Sequence, residues 1–278
     1  MSIWNRMQNI DRRVIYALLI IVVSFPLIKP IGLPLSYSDT TLQFFNEIDK
    51  LQPGDRVLIS LDYAPSGAAD VHPQTVAVSK HLIQKGVKIA YISFWAAGPM
   101  FAEQIIQPYL ESGELVYGED VVNLGYLAGY DSAIRSFGFD CLASAPKDLN
   151  GKDTASMPIM QGIKDCRDFD VVIDFVMGSP GTASWVQQVQ GPLGINLLVG
   201  SVVVEVPASM PFVQAGQVKG LLQGLRGAAE YELLSGSAGI AAAGMDAQSL
   251  GHLLIIGSIL VGNVAYFMSK KQPKNNKQ

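Results

Sequence analysis

Two long apolar stretches frame the chain, and short apolar runs punctuate the region between them. Residues 14–33 (VIYALLIIVVSFPLIKPIGL) and 250–268 (LGHLLIIGSILVGNVAYFM) each have the length of a membrane-crossing helix, because ~30 Å of hydrocarbon takes ~20 helical residues. Pro26 and Pro30 are expected to bend the outer end of the first, and Lys29 can snorkel to the interface. A basic N-terminal flank (Arg6, Arg12, Arg13) would also suit a signal peptide. No small-x-small cleavage site follows, however, so an uncleaved anchor is the expectation.

Between these stretches the pattern alternates between helix and strand. Residues 41–51 carry Leu42, Phe45, Ile48 and Leu51 at near-helical spacing. Residues 56–61, 87–94, 170–177 and 196–206 read as apolar strands, with a further strand at 114–117. Residues 73–85 read as a helix with Pro73 at its first position and Gly86 just past its end. Helices are also expected at 99–110, briefly at 157–163, from Thr182, and at 213–234; residues 121–137 fit either element. Continuous apolar strands separated by helices imply a mostly parallel sheet covered on both faces. The expected fold is α/β, a doubly wound Rossmann-like or flavodoxin-like three-layer sandwich between two transmembrane helices. The domain should span 35–234, followed by a flexible tether at 235–249 rich in glycine, alanine and serine.

Composition supports the mixture. The 278 residues are 49% hydrophobic and only 16% charged, with mean hydropathy +0.27. That is too apolar for an ordinary soluble domain and too polar for a polytopic transporter. Basic residues flank the outer ends of both stretches: Arg6, Arg12 and Arg13 before the first, then Lys270, Lys271, Lys274 and Lys277 after the second. The positive-inside rule then places the tails 1–13 and 269–278 in the cytoplasm and the middle outside. Residues 35–249 hold 12 Lys+Arg against 23 Asp+Glu, a net of −11. An acidic domain has no footprint for nucleic acid, so the expected partners are the bilayer and a second copy or another membrane protein. Cys141 and Cys166 both fall in the outer region, where a disulfide is allowed; Cys166, in KDCRDFD, reads as exposed, which favours a bridge over two unpaired core residues. Three scattered histidines suggest no metal site, and no cofactor motif is present.

Ligands of doubly wound sheets bind beyond the carboxyl ends of the strands, which selects three loops. In the first, Asp62, Asp70 and His72 could move protons, with Ser66 as nucleophile; the alternative is a solvated loop with His72 near a helix cap. In the second, Gly178, Ser179, Gly181 and Thr182 could cradle an anion at a helix start, or simply cap a βα turn. The third begins at Glu205. Gly216, Gly220 and Gly224 recur every four residues, so on a helix they would form one ridge. Three interior glycines cost ~1 kcal/mol each relative to alanine, and close packing, within the domain or against another chain, would offset that. Ser258 and Gly262 form a small-xxx-small pair in the second stretch. Three functions fit these features: binding or assembly in a membrane complex, a tethered hydrolase or transferase, and a ligand-sensing domain.

Overall fold

A computed structural model describes residues 11–270 and divides the chain into two compact units, Leu35–Ala241 and the paired ends Met1–Pro34 with Ala242–Gln278.

In the end unit, α1 (Arg12–Ile28) starts where the Asp11 side chain accepts the Arg13 N–H, and Pro26 lies inside it. The chain ends this helix at Lys29 and runs extended to a turn held by one carboxylate. Asp246 accepts the backbone N–H groups of Ile31, Gly32 and Leu33 at 2.8, 2.8 and 3.0 Å. Further along, Gly251 lies against Val23 and Leu19. Contacts therefore run in opposite senses along the two segments, and the pair is antiparallel. Arg12–Arg13 and Lys270 point toward the same end. Outside the contact, Ile20, Ile28, Leu253, Ile256, Leu260 and Phe267 are exposed. Among the described residues one helix, Ile240–Lys270, is long and apolar enough to cross a membrane. The first stretch forms a helix of 17 residues, at the lower bound for a crossing.

The central unit is built on six parallel strands: β1 (Arg56–Asp62), β2 (Lys88–Ser93), β3 (Val121–Tyr126), β4 (Val171–Val176), β5 (Leu197–Ser201) and β6 (Val218–Gln223), ordered 3-2-1-4-5-6. That order is the Rossmann one and reverses between β1 and β4. Side chains alternate across each strand, which buries both faces. Ile59, Leu61, Ile89, Tyr91, Ile173 and Phe175 pack beneath α2 (Asp39–Asp49), α3 (Ala68–Gln84) and α4 (Gly98–Glu111). Leu58, Ile92, Val122, Val172 and Val199 face the other layer, with Phe137 of α5 (Asp131–Phe139), Cys141 of α6 (Cys141–Ser144) and Trp185 of α7 (Thr182–Trp185). From Val186 to Gln190 the backbone continues α7 as a π-helical turn.

Several boundaries differ from the sequence reading. α3 begins at Ala68, not Pro73, because burial of Val71 repays an extra turn upstream of the proline. Residues 114–117 form a turn with one bridge, Tyr117 to Val121. The strand expected over 196–206 ends at Ser201, and α8 (Val206–Gln214) follows. The helix expected over 213–234 is instead α8's last residues, then β6, then α9 (Gly224–Leu234). Most of the expected tether belongs to α10 (Ile240–Lys270).

The glycine ridge goes with that helix. Gly216 sits in a left-handed turn (φ +73°), Gly220 lies in β6, and Gly224 opens α9 at φ +55°. Their spacing of four follows from a turn and a six-residue strand, not from one helical face. Cys141 and Cys166 are both buried free thiols. Cys166, expected at the surface, is fully buried, and its thiol is pushed up by a hydrogen bond with Cys141 and by burial. Cys141 Sγ donates to the Phe137 carbonyl at 3.3 Å. The expected bridge is not formed.

Candidate functional site

The reversal between β1 and β4 makes the crevice where doubly wound sheets of this order hold a dinucleotide. Here Met177, at the end of β4, closes it. Its Sδ accepts from Ala64 N at 3.1 Å and lies 3.8 Å from Ser66 Oγ, and a Cβ on Gly67 would come within 2.8 Å of it. The β1 turn has no glycine-rich fingerprint, and β2 ends in Ser93-Phe94-Trp95 with no acid for a ribose. These residues do not fit a dinucleotide.

The proton-transfer candidates do not converge. Asp62 is fully buried and turns to the face covered by Trp185. It accepts from Phe94 N at 2.7 Å, from Ser60 Oγ at 2.7 Å and, at the long limit, from Trp185 Nε1 at 3.4 Å. The sheet register sets Asp174 of β4 opposite Ser60, so two carboxyls meet in the core. Burial pushes Asp62 up to about 6 and holds Asp174 well above the carboxylate range, where the charge of Asp62 and a hydrogen bond to it add to the effect. Both Asp174 oxygens are buried without a donor of their own, whereas Asp62 accepts three, so desolvation weighs most on the charged form of Asp174. Sequence analysis missed Asp174; its signal was a lone carboxyl inside the apolar run DVVIDFVM.

His72 lies across the sheet from Asp62. It sits within α3, and its Nδ1 is 3.0 Å from the Tyr63 hydroxyl, beside the Phe101 ring. Burial lowers its pKa. Ser66 is exposed and Asp70 half-buried in the first turn of α3. His81 pairs with the Tyr231 hydroxyl at 2.8 Å and stacks on Phe45, a packing role.

The second and third loops do converge. Gly178, Ser179, Gly181, Thr182 and Glu205 line one pocket of about 200 Å³ above β4 and β5, together with Ser184 and Ser209. Its turn is tight: a Cβ on Gly181 would lie 2.3 Å from the Gly178 carbonyl oxygen and 2.6 Å from Val176 Cγ2. Neither Ser179 nor Thr182 caps the helix; Gly181 is the cap, with no side-chain bond. Thr182 Oγ1 instead pairs with Ser209 Oγ at 2.8 Å in a buried contact, which ties α7 to α8. Glu205 is the sole charged group on the lining, and no lysine or arginine lies on it. An anion would meet a carboxylate and no cation there, so the chemistry opposes an anion cradle. The volume is below that of ordinary drug-sized sites, roughly 300–1,000 Å³, so it suits a small polar molecule. In the end unit, Ser258 Oγ bonds the Leu254 carbonyl, and a side chain at Gly262 would meet open space.

No protein-family model matches the chain, and no curated protein matches it either. One solved structure, that of YjhP from E. coli, is similar at 14% identity and a TM-score of 0.29, over 72% of this chain. The chain spans about 63% of that protein's length, and a likeness this slight carries no argument.

Proposed function

We propose that the chain is a membrane protein of two spans whose α/β domain lies outside the cytoplasm and binds a small, amine-bearing polar molecule in the β4–β5 pocket. The observation that carries the binding reading is the meeting of five loop residues around one hydroxyl-lined pocket whose sole charge is Glu205. A carboxylate with no competing cation selects a positively charged group, and the Thr182–Ser209 hydroxyl pair offers the polar partners. Proton-transfer catalysis loses support, since Asp62 and His72 belong to separate networks on opposite sides of the sheet. Assembly, the other reading, loses its glycine ridge and keeps only the Ser258/Gly262 face.

Two spans are supported by the antiparallel pairing of α1 with α10, by the exposed apolar surface of both, and by basic residues pointing toward one end. Protease added to intact cells or spheroplasts should digest the domain at 35–241 and spare a C-terminal tag. A tag clipped from outside while the domain survives would reverse the topology.

For the pocket, ethanolamine is expected to raise the Tm of the detergent-solubilised protein, as any ligand specific to the native state must, while inorganic phosphate does not. Glu205→Gln should weaken the ethanolamine effect about tenfold, the scale of a lost charged hydrogen bond. Stabilisation by phosphate but not by ethanolamine would overturn the assignment.

A further inference from the structure

A second groove lies at the carboxyl end of β3, two strands from the switch point. Two adjoining cavities of about 280 and 420 Å³ share Tyr126, Leu127 and Ser144 and so form one trough. Ser132 and Ser136 of α5 line one side, and Lys147 and Asp148 the other. The far rim is preformed. The backbones of Lys147 and Asp153 form an antiparallel β-bridge, Asp148 accepts the Lys152 N–H at 2.7 Å, and Leu149 N bonds the Asn123 carbonyl at 2.9 Å.

The near rim carries a strained residue. Tyr130, between Ala128 and Ser132 of the lining, has φ +49° and ψ −127°, a region that a side chain rarely adopts. It is 63% exposed, so burial of its ring within the domain does not repay the strain. Tyr126, on the lining itself, is 44% exposed.

We propose that this groove binds a saccharide, with a preference for one that carries a carboxylate. The lining offers what such a ring needs: the aromatic face of Tyr126 for its apolar side, the Ser136 and Ser144 hydroxyls for its own hydroxyls, and one ammonium, that of Lys147. Asp148 has one lone pair on each carboxylate oxygen engaged, by the Tyr117 hydroxyl at 2.8 Å and by Lys152 N at 2.7 Å, which fixes its orientation in the rim. An apolar ligand would strand the serines. A phosphate group would find a single lysine and no arginine fork.

The test is titration calorimetry on the full chain in a sugar-free detergent, with trigalacturonate and maltotriose as probes. Saturable binding is expected, tighter for trigalacturonate, and Lys147→Gln should erase that difference. Tyr126→Ala, and Ser144→Trp, which fills the trough, should each weaken binding about tenfold or more, the scale of a lost stacking contact with its hydrogen bonds. Tyr130→Gly should raise Tm by a few degrees yet lower affinity, the signature of strain held for a ligand. Glu205→Gln should leave the saccharide isotherm unchanged, which separates this site from the β4–β5 pocket. Absence of saturable binding by both probes at millimolar concentration would overturn the proposal, as would binding that survives both Tyr126→Ala and Ser144→Trp.

Discussion

Gly220→Ala is expected to destabilise the α/β domain by about 3 kcal/mol, the upper part of the range for an overpacked site. Tm should fall by roughly 6–12 °C for a domain of this size. β6 runs beneath α2 so closely that a Cβ at Gly220 would stand 2.4 Å from both the backbone nitrogen and Cα of Phe44. Those are backbone atoms of a helix whose own Phe44 side chain is fully buried, so no flexible group can move aside. The neighbouring Lys219 points outward and is exposed; Lys219→Ala should change stability by no more than about 0.5 kcal/mol. Thermal unfolding of the two variants against the parent is the measurement. Equal Tm values for Gly220→Ala and the parent would show that α2 does not sit on β6. Read on a helix, Gly220 would be a contact for another chain, and its substitution would separate subunits without unfolding. Placed in β6, the same residue becomes a packing constraint inside the domain.

The second large effect concerns the carboxyl pair. Asp62 and Asp174 both have folded-state pKa values raised above those of the unfolded chain, chiefly by burial. Their neutral forms favour folding, so that stability is fully present below about pH 4 and is lost as pH rises through about 6 for Asp62 and higher for Asp174. For Asp62 alone the displacement from 3.8 to about 6 corresponds to about 3 kcal/mol at ~1.4 kcal/mol per unit. Asp174→Asn keeps a donor to Asp62 while removing the second ionisation and the like charge. It should raise Tm at pH 8, leave Tm at pH 4 nearly unchanged, and flatten the profile between them. Asp174→Leu, which cannot donate to Asp62, should not reproduce the gain. Tm measured from pH 4 to 9 on all three proteins tests this; parallel profiles for parent and Asp174→Asn would mean that burial of Asp174 does not raise the pair's ionisation above the unfolded range.

Much of the layer structure was readable from periodicity. The runs around Leu58, Ile89 and Val172 are apolar throughout because each strand is covered on both faces, and that pattern survives in the chain without knowledge of neighbours. The loop rule located the β4–β5 pocket for a similar reason: Gly178–Thr182 and Glu205 follow adjacent parallel strands, so their loops leave the sheet on the same edge. Ser209 was not legible. It reaches Thr182 only because the chain turns into α8 after Ser201, where continued apolar residues read as more strand.

The misreadings share a cause. Helical and strand periods overlap over short stretches, and Gln214–Glu232 satisfies a spacing of four while folding as a turn, a strand and a helix. Asp62, Asp70 and His72 are close in sequence, yet alternation along β1 sends Asp62 to one face while α3 carries His72 on the other. Cys166 looked exposed amid charged neighbours, but its one-turn helix turns the thiol inward against Cys141.

By itself the sequence determined the local terms: which segments are apolar enough to be buried, where the chain can turn, and which ends are basic. These depend on composition and spacing within a few residues. Only the tertiary structure decided the strand order, the meeting of Asp62 with Asp174, the Met177 plug in the switch-point crevice and the approach of Gly220 to Phe44. Each of those joins residues far apart in the chain, and the free energy that selects them comes from packing and desolvation between segments, which no local pattern records.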